Sequence, residues 1–176
     1  MTEQLVIAAL GEDRPGLVDQ LSGWILNSGC NIADSRMMVL GGEFSVLLLV
    51  VGNWNNLTKL EDQVGQVGQK LGMSLSIKRT EPKQRNGEFL PYAVDVVALD
   101  NPGIVHNLAN FFSQRSINIQ DLSTTGYAAA HTGTMMFAVH ICLDVPADTH
   151  IATLREEFLE FCDQLNLDAV IEPLKG

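Results

Sequence analysis

What the chain lacks narrows its chemistry before any motif is read. It has only three cysteines, Cys30, Cys142 and Cys162, odd in number and far apart, so a disulfide framework or a close metal pair is not on offer and a reducing cytoplasm fits best. Basic residues are scarce: 11 Lys+Arg stand against 21 Asp+Glu, a formal net charge of -10. Nucleic-acid affinity comes largely from cations displacing counterions, so direct DNA or RNA binding is disfavoured. Long apolar runs are missing as well. The leading "MTEQLVIAALGEDRPG" has no basic lead and its apolar run stops at a turn, so it is expected to be neither a secretion signal nor a membrane span but a strand of the mature fold.

The charge that is present is unevenly placed. Residues 1–87 hold 8 Lys+Arg and 9 Asp+Glu, whereas residues 88–176 hold 3 and 12, so the halves carry -1 and -9 and present different surfaces. With 46% hydrophobic and 18% charged residues the chain can offset its ordering entropy and fold. Its 176 residues suit one ordinary domain or two small ones.

A repeat decides between them. "DRPGLVDQL" at 13–21 returns as "DNPGIVHNL" at 100–108, and Asp13, Pro15, Gly16, Val18 and Leu21 match Asp100, Pro102, Gly103, Val105 and Leu108 at one offset of 87 residues. At the same offset "NIAD" at 31–34 becomes "NIQD" at 118–121. Each copy opens with an apolar run, "QLVIAAL" at 4–10 and "YAVDVVAL" at 92–99, that suits a buried strand. Helical spacing then links Leu17, Val18, Leu21, Trp24 and Ile25, and likewise Ile104, Val105, Leu108, Phe111 and Phe112, with Gly29 placed to end the first of these helices.

"CNIADSRMMVL" and "INIQDLSTTGY" read as second strands, paired as hairpins with third strands "FSVLLLVVG" and "MMFAVHICLDV". The hairpin loop is longer in the second copy, around "TGYAAAHTGT", a local difference where loops carry function. Two more apolar stripes, Leu57, Leu60, Val64, Val67, Leu71 and Ile151, Leu154, Phe158, Phe161, Leu165, mark second helices. Gly65 and Gly68 are expected to weaken the first of these by about 1 kcal/mol each relative to Ala. "MSLSIKRT" and "LDAVIEP" close the copies as fourth strands.

The order is βαββαβ twice. It predicts an α+β protein of two ferredoxin-like domains, each an antiparallel sheet with helices on one face. Pro82 and Asn86-Gly87 favour turns where the periodicity lapses, which places domains at 1–81 and 91–176 with a linker at 82–90.

The repeated Asp-x-Pro-Gly turn has a structural use: Pro in the first helical turn loses no needed hydrogen bond, and Asp13 or Asp100 can cap free amides. It has a functional use as well, because unpaired N–H groups at a helix start attract a carboxylate or phosphate. Gly16 and Gly103, without Cβ, let such a ligand approach. Asn31 and Asn118 can offer an amide donor and acceptor to an amino acid, or serve only as turn residues.

On these residues, "DRPGLV" and "DNPGIV" after the first strand and "CNI" and "INI" opening the second, the chain resembles the ACT domain, a small regulatory module that commonly binds amino acids. As two such modules with nothing attached, it is similar to the glycine cleavage system transcriptional repressor family. The resemblance implies a non-enzymatic cytoplasmic regulator, without cofactor or membrane association, that responds to a small amino acid such as glycine. Repression would act through a partner DNA-binding transcription factor, and a homo-oligomer is compatible with it. Paired modules would place ligand at an interface of strand–helix loops and second strands. The residues implied are Asp13, Arg14, Pro15, Gly16, Leu17, Asn31 and Ile32 in one site and Asp100, Asn101, Pro102, Gly103, Ile104, Asn118 and Ile119 in the other. Arg14 against Asn101 makes the two unequal.

Other chemistries remain as alternatives: a module controlling a metabolic enzyme, or, more distantly, an acylphosphatase-like enzyme using Arg14 and Asn31. A nucleophile would need a Ser or Cys with a positioned His. Cys142 lies two residues from His140 on one strand face, while His106, His131 and His150 lie elsewhere. A buried, inert Cys is the simpler expectation there, and two ligands do not make a metal site. The RNA-recognition motif shares the fold but stacks bases on strand aromatics, and aromatics are 6% of this chain. Lys78, Arg79, Lys83 and Arg85 form a small basic group, read as a solvated face or a dock for an acidic partner.

Overall fold

A computed structural model describes residues 3–82 and 87–174. The chain divides into two compact units, residues 1–84 and 85–176. In the first, β1 (Glu3–Glu12), α1 (Leu17–Asn27), β2 (Asn31–Leu40), β3 (Glu43–Gly52), α2 (Trp54–Leu71) and β4 (Met73–Thr80) follow one another. The second repeats the order as β5 (Phe89–Leu99), α3 (Ile104–Ser113), β6 (Asn118–Ala128), β7 (Met135–Pro146), α4 (Ile151–Gln164) and β8 (Asp168–Pro173). Both sheets are antiparallel, ordered β2-β3-β1-β4 and β6-β7-β5-β8, as the ferredoxin-like reading requires. Of the stretch read as linker, residues 83–86 lie outside the described residues and Phe89 and Leu90 already belong to β5. The hairpin loop is the longer one in the second unit, as expected: residues 129–134 separate β6 from β7, whereas Gly41 and Gly42 alone separate β2 from β3.

Period-2 alternation explains which strand side faces the helices. Leu5 and Ile7 of β1 and Leu48 and Val50 of β3 meet Leu21 and Ile25 of α1 and Leu57 and Leu60 of α2, all buried. Val94, Val96, Ile141 and Leu143 play that part in the second unit, where the helices bring a ring cluster instead: Phe111, Phe112, Phe158 and Phe161 stack with centroids 5.0–5.3 Å apart. Gly68 is a packing residue, since a Cβ there would stand 2.9 Å from the Met73 carbonyl oxygen where α2 crosses β4. What looked like a weak helix position is what lets the two elements approach.

The basic group near the end of the first unit is not a uniformly solvated face. Arg79 donates to both carboxylate oxygens of Glu61, at 3.0 and 2.8 Å, to Thr58 Oγ1 at 3.0 Å and to Glu3, and its guanidinium lies 5.7 Å from the Trp54 ring centroid. It clasps β4, β1 and α2 together. Lys78 is exposed, and Lys83 and Arg85 lie outside the described residues.

The hydrogen bonds from Arg79 hold the Glu61 carboxyl below its ordinary value of 4.5. A folded-state value lowered in this way contributes stability that is complete above the ordinary Glu range and is lost as pH falls through the folded value. Urea titrations at stepped pH are expected to show the first unit losing stability across that window, with a smaller loss in Glu61→Gln.

The repeat also exposes a strained position. Gly29 ends α1 at φ 77°, and at the same offset Ser116 ends α3 at φ 56°, each followed by a bond back into the helix, Cys30 N–H to Ile25 and Ile117 N–H to Phe112. A left-handed non-glycine residue is costly, so Ser116→Gly is expected to stabilise the second unit by about 0.5–1 kcal/mol, read as a raised urea midpoint with unchanged slope.

Candidate functional site

The Asp-x-Pro-Gly turns lie between the first strand and first helix of each unit, exposed at Asp13–Gly16 and at Asp100–Gly103. Both helices start one residue after the glycine, at Leu17 and Ile104, whose side chains are buried. Contrary to the expectation above, Pro15 and Pro102 therefore precede the helix cap and do not occupy the first helical turn. The cap is the glycine itself, at φ 91° for Gly16 and φ 96° for Gly103, a left-handed conformation that a side chain resists. The Asp side chains do not cap either: α1 and α3 have no side-chain cap hydrogen bond.

The second helices differ. Asn53 Oδ1 accepts from the Asn56 N–H at 2.9 Å, and His150 Nδ1 from the Thr153 N–H at 3.3 Å, so α2 and α4 close their own N-termini. The turns that lead into α1 and α3 are anchored from outside the helix, by the Asp13 N–H donating to the Gly42 carbonyl and the Asp100 N–H to the Met135 carbonyl, both at 3.1 Å. These bonds hold each turn beside the hairpin end of its unit, and the amides that start α1 and α3 have no side-chain cap. That is a place for a small anion.

Two amide side chains complete this surroundings and were not anticipated. Gln20 Nε2 stands 3.3 Å from where a Cβ on Gly16 would lie, and Asn107 Nδ2 stands 3.9 Å from the equivalent point on Gly103. They share one repeat position, and the signal was present in the sequence: an amide residue four after the glycine in both copies.

Arg14, one of the residues that the resemblance implies, is engaged within its own unit. Its Nη2 donates to the Leu71 carbonyl at 3.0 Å, so the guanidinium is engaged with the C-terminal end of α2. Asn101 at the matching position is exposed. Ile32 and Ile119 are half-buried and pack on the cores of their units, just before a register shift in each edge strand, between Ile32 and Asp34 and between Ile119 and Asp121.

Asn31 and Asn118 are exposed at the starts of β2 and β6. Asn31 pairs with Val51, whereas the turn adjoins the Glu12–Glu43 pair, so along β3 the two parts of the expected site stand about 26 Å apart at 3.3 Å per residue. Within one unit the Asn and the turn do not meet. A groove of about 510 Å³ between α1 and α2, lined by Trp24, Lys59 and Gln63 among others, reaches Gln20 but not Asp13 or Gly16. Among the described residues no helix is long and apolar enough to cross a membrane.

Two ferredoxin-like βαββαβ units, each with a glycine turn opening its first helix, define the tandem ACT-domain class of regulatory proteins. The ACT domain family model matches residues 3–78. Over 167 residues the chain is 31% identical to the glycine cleavage system transcriptional repressor of Escherichia coli (strain K12), covering 95% of this chain and 88% of that protein, and it matches the repressor of Shigella flexneri to the same extent. A crystal structure described as that of a glycine cleavage system transcriptional repressor aligns with 100% of the chain at 30% identity and a TM-score of 0.76. A protein of unknown function from Galdieria sulphuraria shares the fold at 22% identity and a TM-score of 0.81. The chain belongs to the glycine cleavage system transcriptional repressor family.

The left-handed glycines give the turn its shape, so alanine there strains the backbone. Gly103→Ala is expected to cost about 1–3 kcal/mol, read as a lowered urea midpoint of the second unit, with Gly133→Ala, at φ 67° in an open loop, as a comparison for left-handed strain away from the turn.

Proposed function

We propose that the chain is a non-enzymatic, cytoplasmic regulator in which a small amino acid, glycine in the first instance, changes binding to a DNA-binding transcription factor and so represses glycine cleavage genes. One observation carries the amino-acid part of this reading: α1 and α3 begin with uncapped amides behind an exposed left-handed glycine, while α2 and α4 cap themselves. A ligand carboxylate takes the place of the missing cap at the amides after Gly16 or Gly103. The exposed Asp13 or Asp100 carboxylate in the same turn meets the ammonium group. Gln20 and Asn107 close the space above the glycine, which favours a ligand with little or no side chain. Family membership supports the regulatory part, and the acidic surface of the second half suits a partner that is itself basic, as DNA-binding proteins are.

For regulation the ligand must favour one state of the chain or its assembly over another, since equal affinity for both shifts nothing. Calorimetry against the twenty amino acids is expected to show glycine binding at millimolar or lower concentration. Asp13→Asn and Asp100→Asn, tested singly and together, should weaken it about tenfold or more, equivalent to about 1.4 kcal/mol. No binding by any amino acid would remove the sensor reading. Capture of a metabolic enzyme instead of a DNA-binding regulator would favour control of an enzyme.

A further inference from the structure

The outer face of the second sheet carries a polar cluster that the fold itself does not need. Register places Asp95 of β5 opposite His140 of β7, and Asp121 of β6 opposite Cys142 of β7. Their strand neighbours Val94, Val96, Leu122, Val139, Ile141 and Leu143 pack into the core, so these four side chains lie on the face turned away from the helices. His140 Nδ1 is 2.7 Å from Asp95 Oδ1, and the other ring nitrogen, Nε2, is 3.6 Å from Cys142 Sγ. Cys142 is half-buried here, contrary to the expectation of a buried thiol, while Cys30 and Cys162 are buried. The same ladder positions in the first sheet hold Ala8 opposite Leu47 and Asp34 opposite Leu49. The duplicated unit thus folds with Ala and Leu where the second has Asp, His and Cys.

Cysteine, histidine and carboxylate serve two chemistries. A nucleophilic thiolate needs electropositive surroundings and free N–H groups for an oxyanion. Here burial, Asp121 and Asp95 push the Cys142 thiol up, and β7 is an interior strand whose backbone pairs with both β5 and β6. A divalent ion reverses that electrostatic sense, because the carboxylates that oppose an isolated thiolate attract the cation, and the cation holds the thiolate. The spacing agrees: zinc–sulfur and zinc–nitrogen bonds of about 2.3 and 2.05 Å at a tetrahedral angle separate the two ligand atoms by about 3.6 Å. A carboxylate on the remote ring nitrogen is what orients a metal-bound imidazole.

We propose that His140 Nε2, Cys142 Sγ and the Asp121 carboxylate bind a divalent transition-metal ion of the zinc type, with Asp95 as outer partner of the histidine and water in the fourth position. Among the described residues no three such side chains already converge on one point. Asp121, directly across the ladder with its Cβ about 5 Å from that of Cys142, turns about its side-chain bonds to join them. In the metal-bound form His140 carries its proton on Nδ1, donated to Asp95, and the thiol proton of Cys142 passes to solvent.

Cobalt(II) titrated into the reduced chain, both units together, tests this. One equivalent is expected to bind with a thiolate-to-cobalt charge-transfer band in the near ultraviolet, and zinc(II) should displace it. Cys142→Ser should abolish the band, Cys30→Ser should keep it, and Asp121→Asn and His140→Ala should each weaken binding at least tenfold. Asp95→Asn should lower affinity by about 10–100-fold while leaving the band in place, as outer-partner changes do. Circular dichroism confirms that each variant is folded, and Cys142→Leu and His140→Leu, which copy the first unit, serve as second variants if a polar replacement fails to fold. Absence of the band with equimolar cobalt, its survival in Cys142→Ser, or unchanged affinity in Asp121→Asn overturns the proposal.

Discussion

Two helices must bury their apolar stripes against one face of a central antiparallel pair, β1 with β3 in the first unit and β5 with β7 in the second. Each fully buried aliphatic or aromatic side chain contributes about 1.5–3 kcal/mol. The interior strands hold many of them: Leu5, Ile7 and Val50 on one side of the duplication, Val94, Ile141 and Leu143 on the other. Hydrogen bonding on both edges of these strands fixes their register, and a slip of one residue would turn every inward side chain to solvent. The inner face is therefore strongly constrained and nearly interchangeable between copies. The outer face and the turns are not.

The two copies spend that freedom differently. Inside, the helices close one core with Trp24 and aliphatic residues and the other with four phenylalanines, with the same sheet order beneath. Outside, Ala8, Leu47 and Leu49 give way to Asp95, His140 and Cys142. At the turns, Arg14 reaches the end of α2, whereas Asn101 is too short for the same bond at that position. Both copies nevertheless keep a left-handed glycine at the start of the first helix and a self-capped second helix. The shared part is the conformation of the turn, and the differences lie in what surrounds it.

The eight strands and four helices of the described residues were legible from the chain to within a few residues, because period-2 and period-3.6 patterns report directly on which side of an element is buried. Gly29 was readable as a helix end for the same local reason. The candidate site was legible only in outline. Asp13, Pro15 and Gly16 marked the turn, but whether Pro or Gly began the helix depends on a backbone angle, not on residue type. Arg14 stood out because Asn101 replaces it in the second copy, and its partner at Leu71 is 57 residues away. Asn31 matched the family pattern while standing at the far end of the sheet from its own turn. Gln20 and Asn107 were missed although they recur at the repeat offset, since an amide on a helix draws no notice until the glycine beneath it is seen.

By itself the sequence determined the duplication, the βαββαβ order and the helix-bearing face, which follow from local periodicity and from matches along the chain; the family came from resemblance to other proteins. Only the tertiary structure decided which polar groups meet. Gln63 on the Trp24 indole, Glu3 and Glu61 on Arg79, and Asp95 on His140 join residues 18 to 76 positions apart, brought together by strand register and helix packing. Periodicity reports how each residue faces water. It carries no information about which residue of another element stands opposite.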